Sequence, residues 1–183
     1  MMNICIVTHR YPPNTVGGGE ISCHLLAREL SKNHNVEVVS FDGNVASQSE
    51  IEGVKVIRNK PISHEKITLN LQCFRFLRKR IEKYDIIHTY NMDLMPAIGL
   101  LTKFYGIRSV ATLNGAVFSR QDEWYHNYIN HPFNLRYQTL GTFLLTRNTA
   151  MIKTIKKIRA FTTLCPFYKE VFSSEGIPKE KIK

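Results

Sequence analysis

The amino-acid sequence predicts an α/β protein built on a doubly wound parallel sheet. Three observations carry that expectation. Short apolar runs alternate with amphipathic stretches along the chain, the order expected of strands covered by helices. The first succession, a strand at Asn3–Val7, a helix at Glu20–Lys32 and a strand at Val36–Ser40, has the length of a βαβ unit with parallel strands. A further apolar run around Ile86 and Ile87 ends in His88, Tyr90 and Asn91, and open sheets of this kind place ligands at the C-terminal ends of their strands.

Each element has a local reason. Asn3-Ile4-Cys5-Ile6-Val7 is short and apolar, which suits a buried strand. The stretch that follows, Thr8 to Glu20, carries Pro12-Pro13 and then Gly17-Gly18-Gly19 directly ahead of a helix. Glycine lets another group approach the backbone closely and tolerates positive φ. A helix start offers unpaired N–H groups and the positive end of the dipole. Together they predict a site for an anion, most simply a phosphate, with a flexible surface turn as the alternative. In the helix itself, Cys23, Leu26, Ala27 and Leu30 form one apolar stripe. Phe41 to Gly53 is polar and reads as a loop, and Val54–Ile57 as a short third strand.

Thr68–Lys83 reads as a helix with Leu69, Cys73, Phe74, Leu77 and Ile81 on one face and Arg75, Arg78 and Lys79 opposite. The basic side is either a solvated surface or a face that lies against anionic lipid. Met92–Gly106 is the next helix, with Gly106 as its C-cap. Arg108–Leu113 is a strand closed by Asn114-Gly115. Phe118–His131 is a loop rich in aromatics, His and Asn, suited to a lid, an acceptor loop or a plain surface segment. Phe133–Ile158 is expected to be helical, broken near Gly141, with a basic end at Lys153, Lys156, Lys157 and Arg159. Ala160–Leu164 is the last strand, and Pro166–Ser174 a short helix with Pro in its first turn.

Composition sets the outer bounds. The chain has 183 residues, 43% hydrophobic and 22% charged, ordinary for one globular domain. It has no apolar run long enough for a membrane span, and no signal peptide is expected at its start. Cys5, Cys23, Cys73 and Cys165 lack Cys-x-x-Cys spacing and read as free thiols in a reducing cytosol, so no metal site is expected from them. The formal net charge of +10 favours an anionic partner, whether a membrane surface, a sugar nucleotide or a nucleic acid.

The kind of phosphate site is narrowed by missing residues. A P-loop needs Gly-Lys-Ser/Thr, and the chain has none. A dinucleotide fingerprint needs Gly or Ala where Ser22 stands, and a tighter turn than Thr8–Val16 allows. Asp42 fits that fingerprint's acidic residue, so a dinucleotide-binding module stays as an alternative, as does a nucleic-acid-binding one, although no nucleic-acid motif is visible. With Pro12-Pro13 ahead of Gly17-Gly18-Gly19-Glu20, the loop resembles the Pro-Pro-x-x-Gly-Gly-x-Glu loop of family-4 retaining glycosyltransferases of the GT-B fold. Asp85-Ile86-Ile87-His88, Val110–Gly115 and Thr162–Ile182 resemble further segments of that family's N-terminal domain, in the same order. There are departures. Asn114 stands where the family usually has His, Cys165 where it has Ser, and neither the family's Glu-x7-Glu pair nor an Asp-x-Asp occurs.

The resemblance implies a Rossmann-like doubly wound sheet forming the N-terminal half of a GT-B fold. Residues 1–183 would be a single acceptor-side domain without the donor-binding domain, and inactive alone. The implied reaction moves a sugar, with retention, from a nucleotide-diphosphate sugar to a glycan or lipid acceptor, with no metal and no cofactor. Gly17, Gly18 and Gly19 would hold the diphosphate, Asn114 the transferred sugar, and Tyr11, His88 and Asn91 would line the cleft. A cytoplasmic protein is expected, docked on anionic lipid at the inner membrane face.

Overall fold

The computed structural model describes residues 1–15, 17–63, 66–90, 92–114 and 129–183, and the side chains at 137 and 140–148 lie outside that description. Among the described residues, seven strands form one sheet: β1 (Asn3–Thr8), β2 (Asn35–Ser40), β3 (Ser47–Ile51), β4 (Val54–Arg58), β5 (Ile86–Thr89), β6 (Arg108–Leu113) and β7 (Ala160–Thr163). Their spatial order is β3-β4-β2-β1-β5-β6-β7. All pairings are parallel except that of β3 with β4. The chain therefore winds outward from β1 in one direction and resumes on the other side of β1 at β5, as the sequence predicts for a doubly wound sheet. The helices are α1 (Gly18–Ser31), α2 (Lys66–Arg78), α3 (Met95–Tyr105), α4 (Leu135–Ile155) and α5 (Pro166–Ser174).

Strand residues alternate between two cores. On one face Ile4, Ile6, Val36, Val38, Val54 and Val56 pack with Cys23 and Ala27 of α1. On the other, Cys5, Val7, Val39, Ile87, Ala111 and Phe161 pack with Leu69 and Leu77 of α2, Ile98 and Leu101 of α3, Ile155 of α4 and Phe172 of α5. Register carries the alternation across the sheet, with Ile6 opposite Val38 on one side and His88 on the other. Cys5, Cys23 and Cys73 are buried free thiols and Cys165 is exposed.

Several boundaries differ from the expectation. β3 falls in the segment read as a loop; its sequence Ser-Gln-Ser-Glu-Ile is exposed along nearly all its length, so no buried side chain marks it. It is an edge strand held by its antiparallel ladder to β4. α1 begins at Gly18, so two of the three glycines belong to its first turn. α2 stops at Arg78, and a separate 3-10 turn covers Ile81–Lys83. α3 is preceded by a 3-10 turn at Met92–Leu94 and ends at the expected Gly106, whose φ of 68° lets its N–H reach the Thr102 carbonyl at 3.0 Å. α4 runs through position 141 without a break. Most of the 118–131 loop lies outside the described residues.

α3 and α4 approach closely through Gly99. A Cβ built there would lie 2.8 Å from the Thr154 carbonyl carbon and closer still to its oxygen. No helix among the described residues is long and apolar enough to cross a membrane.

Candidate active site at the strand ends

The chain changes direction between β1 and β5, and such switch points open a crevice at the C-terminal strand ends. The loop leaving β1 enters α1 there, with Gly17 as the extended N-cap at φ −161°. The Glu20 carboxylate accepts the Gly17 N–H at 3.0 Å. That takes up one helix-start donor and places a negative charge beside it, so an incoming anion is left with the N–H groups of Gly18 and Gly19. None of the three glycines has a left-handed backbone; among the described residues positive-φ glycines are Gly53, Gly106 and Gly176. What they leave is room. Nothing lies within 4 Å of a Cβ built at Gly18.

Asn114 closes the crevice from the end of β6. Its Nδ2 donates to the Tyr90 carbonyl at 3.3 Å and lies 3.8 Å from a Cβ built at Gly19. Its Oδ1 is buried and has no partner among the described residues. A buried amide oxygen without a donor is costly, and a ligand N–H or O–H satisfies it. The structure thus brings Asn114 and the glycine turn together. The Tyr90 phenol is pushed up by burial, against a hydrogen bond with Ser22 in α1.

His88 lies on the same sheet face, two residues below Tyr90, and the two rings are 5.9 Å apart. Its Nε2 is 2.8 Å from the Thr112 hydroxyl, which is 3.0 Å from the Thr162 hydroxyl. A short polar row therefore crosses β5, β6 and β7. Burial lowers the His88 imidazole from 6.5 to about 4, so it is neutral near pH 7. Asn91 lies outside the described residues.

Tyr11 is placed elsewhere. It is fully buried, its hydroxyl is 2.8 Å from His24 Nδ1, and the rings meet edge to face at 5.5 Å. A proline-rich turn with no strand of its own needs such an anchor, and Tyr11 pins the loop to α1 from within the core. A second anchor comes from Arg58 at the end of β4. Its Nη1 donates to the Tyr11 carbonyl at 3.1 Å and to Asp42 at 3.0 and 2.9 Å, and its Nη2 donates to the Pro12 carbonyl. Asp42 also accepts the Tyr11 N–H at 3.0 Å and the Ser40 hydroxyl at 2.6 Å. With both carboxylate oxygens engaged, Asp42 is committed to the loop, which removes the acidic residue on which the dinucleotide reading rests. Sequence reasoning missed Arg58, His24, Thr112 and Thr162; a cation ending a strand beside an Asp after the neighbouring strand was the available signal for the first.

A cavity of about 350 Å³ opens beside this loop, over the ends of β1, β2 and β4. His9, Arg10, Asn14, Thr15, Asp42 and Asn44 are among its walls. No group of three His, Cys, Asp or Glu side chains among the described residues is arranged to hold a metal.

A doubly wound sheet with a helix start at its switch point defines an open α/β domain of the class that holds ligands at its strand ends. Residues 16–183 match Glycosyltransferase Family 4, and the chain belongs to that family. An uncharacterized glycosyltransferase of Methanocaldococcus jannaschii is 36% identical over 97 residues, which is 49% of this chain and 25% of that protein. An uncharacterized 42.6 kDa protein in the cps region of Klebsiella pneumoniae is 32% identical over 136 residues, 61% of this chain and 36% of that protein. Among solved structures, sucrose-phosphate synthase from Thermosynechococcus elongatus superposes with a TM-score of 0.70 at 14% identity, covering 100% of this chain and 47% of that one. The catalytic domain of starch synthase IV from Arabidopsis thaliana, bound to ADP and acarbose, gives 0.65 at 14% identity over 99% and 50%. Anabaena HepE in complex with UDP and glucose gives 0.57 at 13% over 100% and 43%. These structural likenesses are ones of fold, that of the GT-B glycosyltransferases. The chain spans about a quarter to a half of the length of these proteins.

Proposed function

We propose that this chain is the N-terminal, acceptor-side half of a retaining glycosyltransferase that moves a sugar from a nucleotide-diphosphate donor to an acceptor hydroxyl. The observation that carries this reading is the Asn114 Oδ1, buried beside the Gly17–Gly19 helix start and without a hydrogen-bond partner among the described residues. The N–H groups of Gly18 and Gly19 face the leaving diphosphate and stabilise its charge as the glycosidic bond breaks, a role that preorganised donors fill. Asn114 Oδ1 accepts a hydrogen bond from a hydroxyl of the transferred sugar; an amide does not take up a proton near neutral pH, so it positions rather than acts as base. His88 stays neutral at the cleft wall and fixes Thr112. UDP and ADP in the solved relatives support a nucleotide-sugar donor. In this reading residues 1–183 bind acceptor and phosphate but do not transfer sugar alone.

The test is sugar-nucleotide hydrolysis and transfer by a longer protein that joins this chain to a donor-binding half, with Asn114→Ala beside it. Loss of one buried hydrogen bond should cost about 1–3 kcal/mol of transition-state binding. Unchanged kcat/KM in Asn114→Ala removes Asn114 from the site, and transfer by the 183-residue chain alone at the longer protein's rate overturns the half-enzyme reading.

The acceptor side includes an anionic membrane in this proposal. α2 exposes Ile67 (65%) and Leu71 (49%) beside exposed Arg75, Arg78 and Lys79, an apolar strip next to a basic one. Each cation near an anionic surface contributes on the order of 1 kcal/mol, fading within a Debye length. Co-sedimentation with phosphatidylglycerol vesicles should weaken with salt and fall when the three cations are changed to Glu; a wild-type chain that ignores such vesicles at low salt overturns it.

A further inference from the structure

We propose that the cavity over the ends of β1, β2 and β4 binds an acidic sugar, the acceptor of the transfer, and that Arg10 reads its negative charge. The inference rests on the glycosyltransferase reading and names its acceptor class. The cavity, about 350 Å³, lies at the small end of ligand sites, which run from about 300 to 1,000 Å³, and suits one sugar ring rather than a long chain. Its walls mix Asn14, Thr15 and Asn44, exposed side chains that both donate and accept, above a buried Phe41 floor. That is the inventory a ring of hydroxyls calls for.

The charge selects the class. Asp42 would ordinarily make this wall acidic, but its two oxygens are taken by Arg58, the Tyr11 N–H and the Ser40 hydroxyl. The pair is nearly neutral as a unit, with side chains only 11% and 6% exposed. The formal charge left on the cavity is that of Arg10, which is exposed and has no carboxylate within ion-pair distance among the described residues. A planar guanidinium at the rim of a hydroxyl-binding cavity matches a carboxylate or phosphate carried on the sugar. The position suits transfer. Thr15 lines the cavity and Gly18 opens the helix start only three residues later, a span of at most about 11 Å. The cavity and the helix start are thus neighbours along one stretch of chain.

The test titrates the 183-residue chain, by ligand-observed NMR, with methyl glucuronide, glucose 6-phosphate, methyl glucoside and inorganic phosphate. At least one charged sugar is expected to bind about tenfold tighter than the neutral glucoside, the scale of one charge-assisted hydrogen bond. Which of the two wins tells carboxylate from phosphate. Arg10→Ala should abolish the preference with Tm unchanged, since Arg10 makes no ion pair in the described structure. Equal binding of charged and neutral sugars, no binding of any sugar, a preference that survives Arg10→Ala, or inorganic phosphate matching glucose 6-phosphate would each overturn the proposal. Transfer assays with the longer protein separate the two readings. Transfer to neutral but not acidic acceptors sinks the acidic-sugar inference alone, whereas no transfer or donor hydrolysis at all sinks the glycosyltransferase reading.

Discussion

Gly17–Gly19 and Gly99 both stand where a helix meets its surroundings, and they are there for opposite reasons. At Gly18 an added Cβ touches nothing within 4 Å. At Gly99 it would collide with the Thr154 backbone of the neighbouring helix. The conspicuous triplet leaves open space at Gly18, while the space beside the inconspicuous residue is filled by the chain itself. The loop that carries the triplet keeps its shape through Tyr11, His24, Asp42 and Arg58 rather than through glycine conformations. Its rigidity and its openness therefore rest on different residues, and each can be broken without the other.

The largest effect should come from the anchor. Arg58→Ala leaves Asp42 buried without its cation, and removing one partner of a buried pair costs about 3–5 kcal/mol. Urea unfolding measures it. Changing both partners, as Arg58→Met with Asp42→Asn, should cost less than the sum of the single changes, because the uncompensated charge is gone. A loss below about 1 kcal/mol for Arg58→Ala would mean that the ion pair does not hold the loop. Gly99→Ala comes next. The obstacle is backbone, which cannot rotate away, and overpacking of this kind costs about 1–3 kcal/mol or more. A thermally unchanged Gly99→Ala chain would show that α3 and α4 stand further apart than described.

These cases show what was legible beforehand. The buried strands and the doubly wound class followed from apolar runs at Asn3–Val7, Val36–Ser40, Ile86–Ile87 and Arg108–Leu113, because buried parallel strands write their burial into composition. β3 was not legible, since an exposed edge strand is held by backbone bonds that leave no mark on side chains. At the site, the helix start is legible from local order, whereas Asn114 is singled out only by the family resemblance. The resemblance puts Tyr11 in the cleft; its burial depends on His24, thirteen positions on, and on Arg58, forty-seven on, which no local pattern reports. The close approach at Gly99 depends on Thr154 in the same way.

His88 offers a smaller effect that bears on the site side of the comparison. Its folded value of about 4 lies below the ordinary 6.5, so the unfolded chain binds the extra proton between those values. Stability should then be full above pH 6.5 and fall as pH drops toward 4, by on the order of 1–2 kcal/mol at pH 5. His88→Gln should flatten that part of the profile relative to wild type. If the two profiles run parallel, His88 is not the half-buried neutral ring that fixes Thr112.

The smallest stability effect is expected at Gly18, and its smallness is the point. The residue sits in the first turn of α1 with ordinary backbone angles and free space around its Cβ position. Replacing such a glycine by Ala restricts the unfolded chain more than the folded one, so Gly18→Ala should raise stability by about 0.4–1 kcal/mol. Gly18→Val should fold as well as wild type within about 0.5 kcal/mol, the usual range for a surface change that breaks no contact. Its branched Cβ would stand where the diphosphate must approach the helix start. Transfer by the longer protein should therefore fall on the order of tenfold, less than the hundredfold or more that loss of a whole stabilising donor costs. The two variants separate the meanings of glycine at this loop. If Gly18→Val lowers stability and activity together, the triplet is there for the chain, as Gly99 is. If stability holds while transfer drops, the empty space beside Gly18 belongs to the ligand.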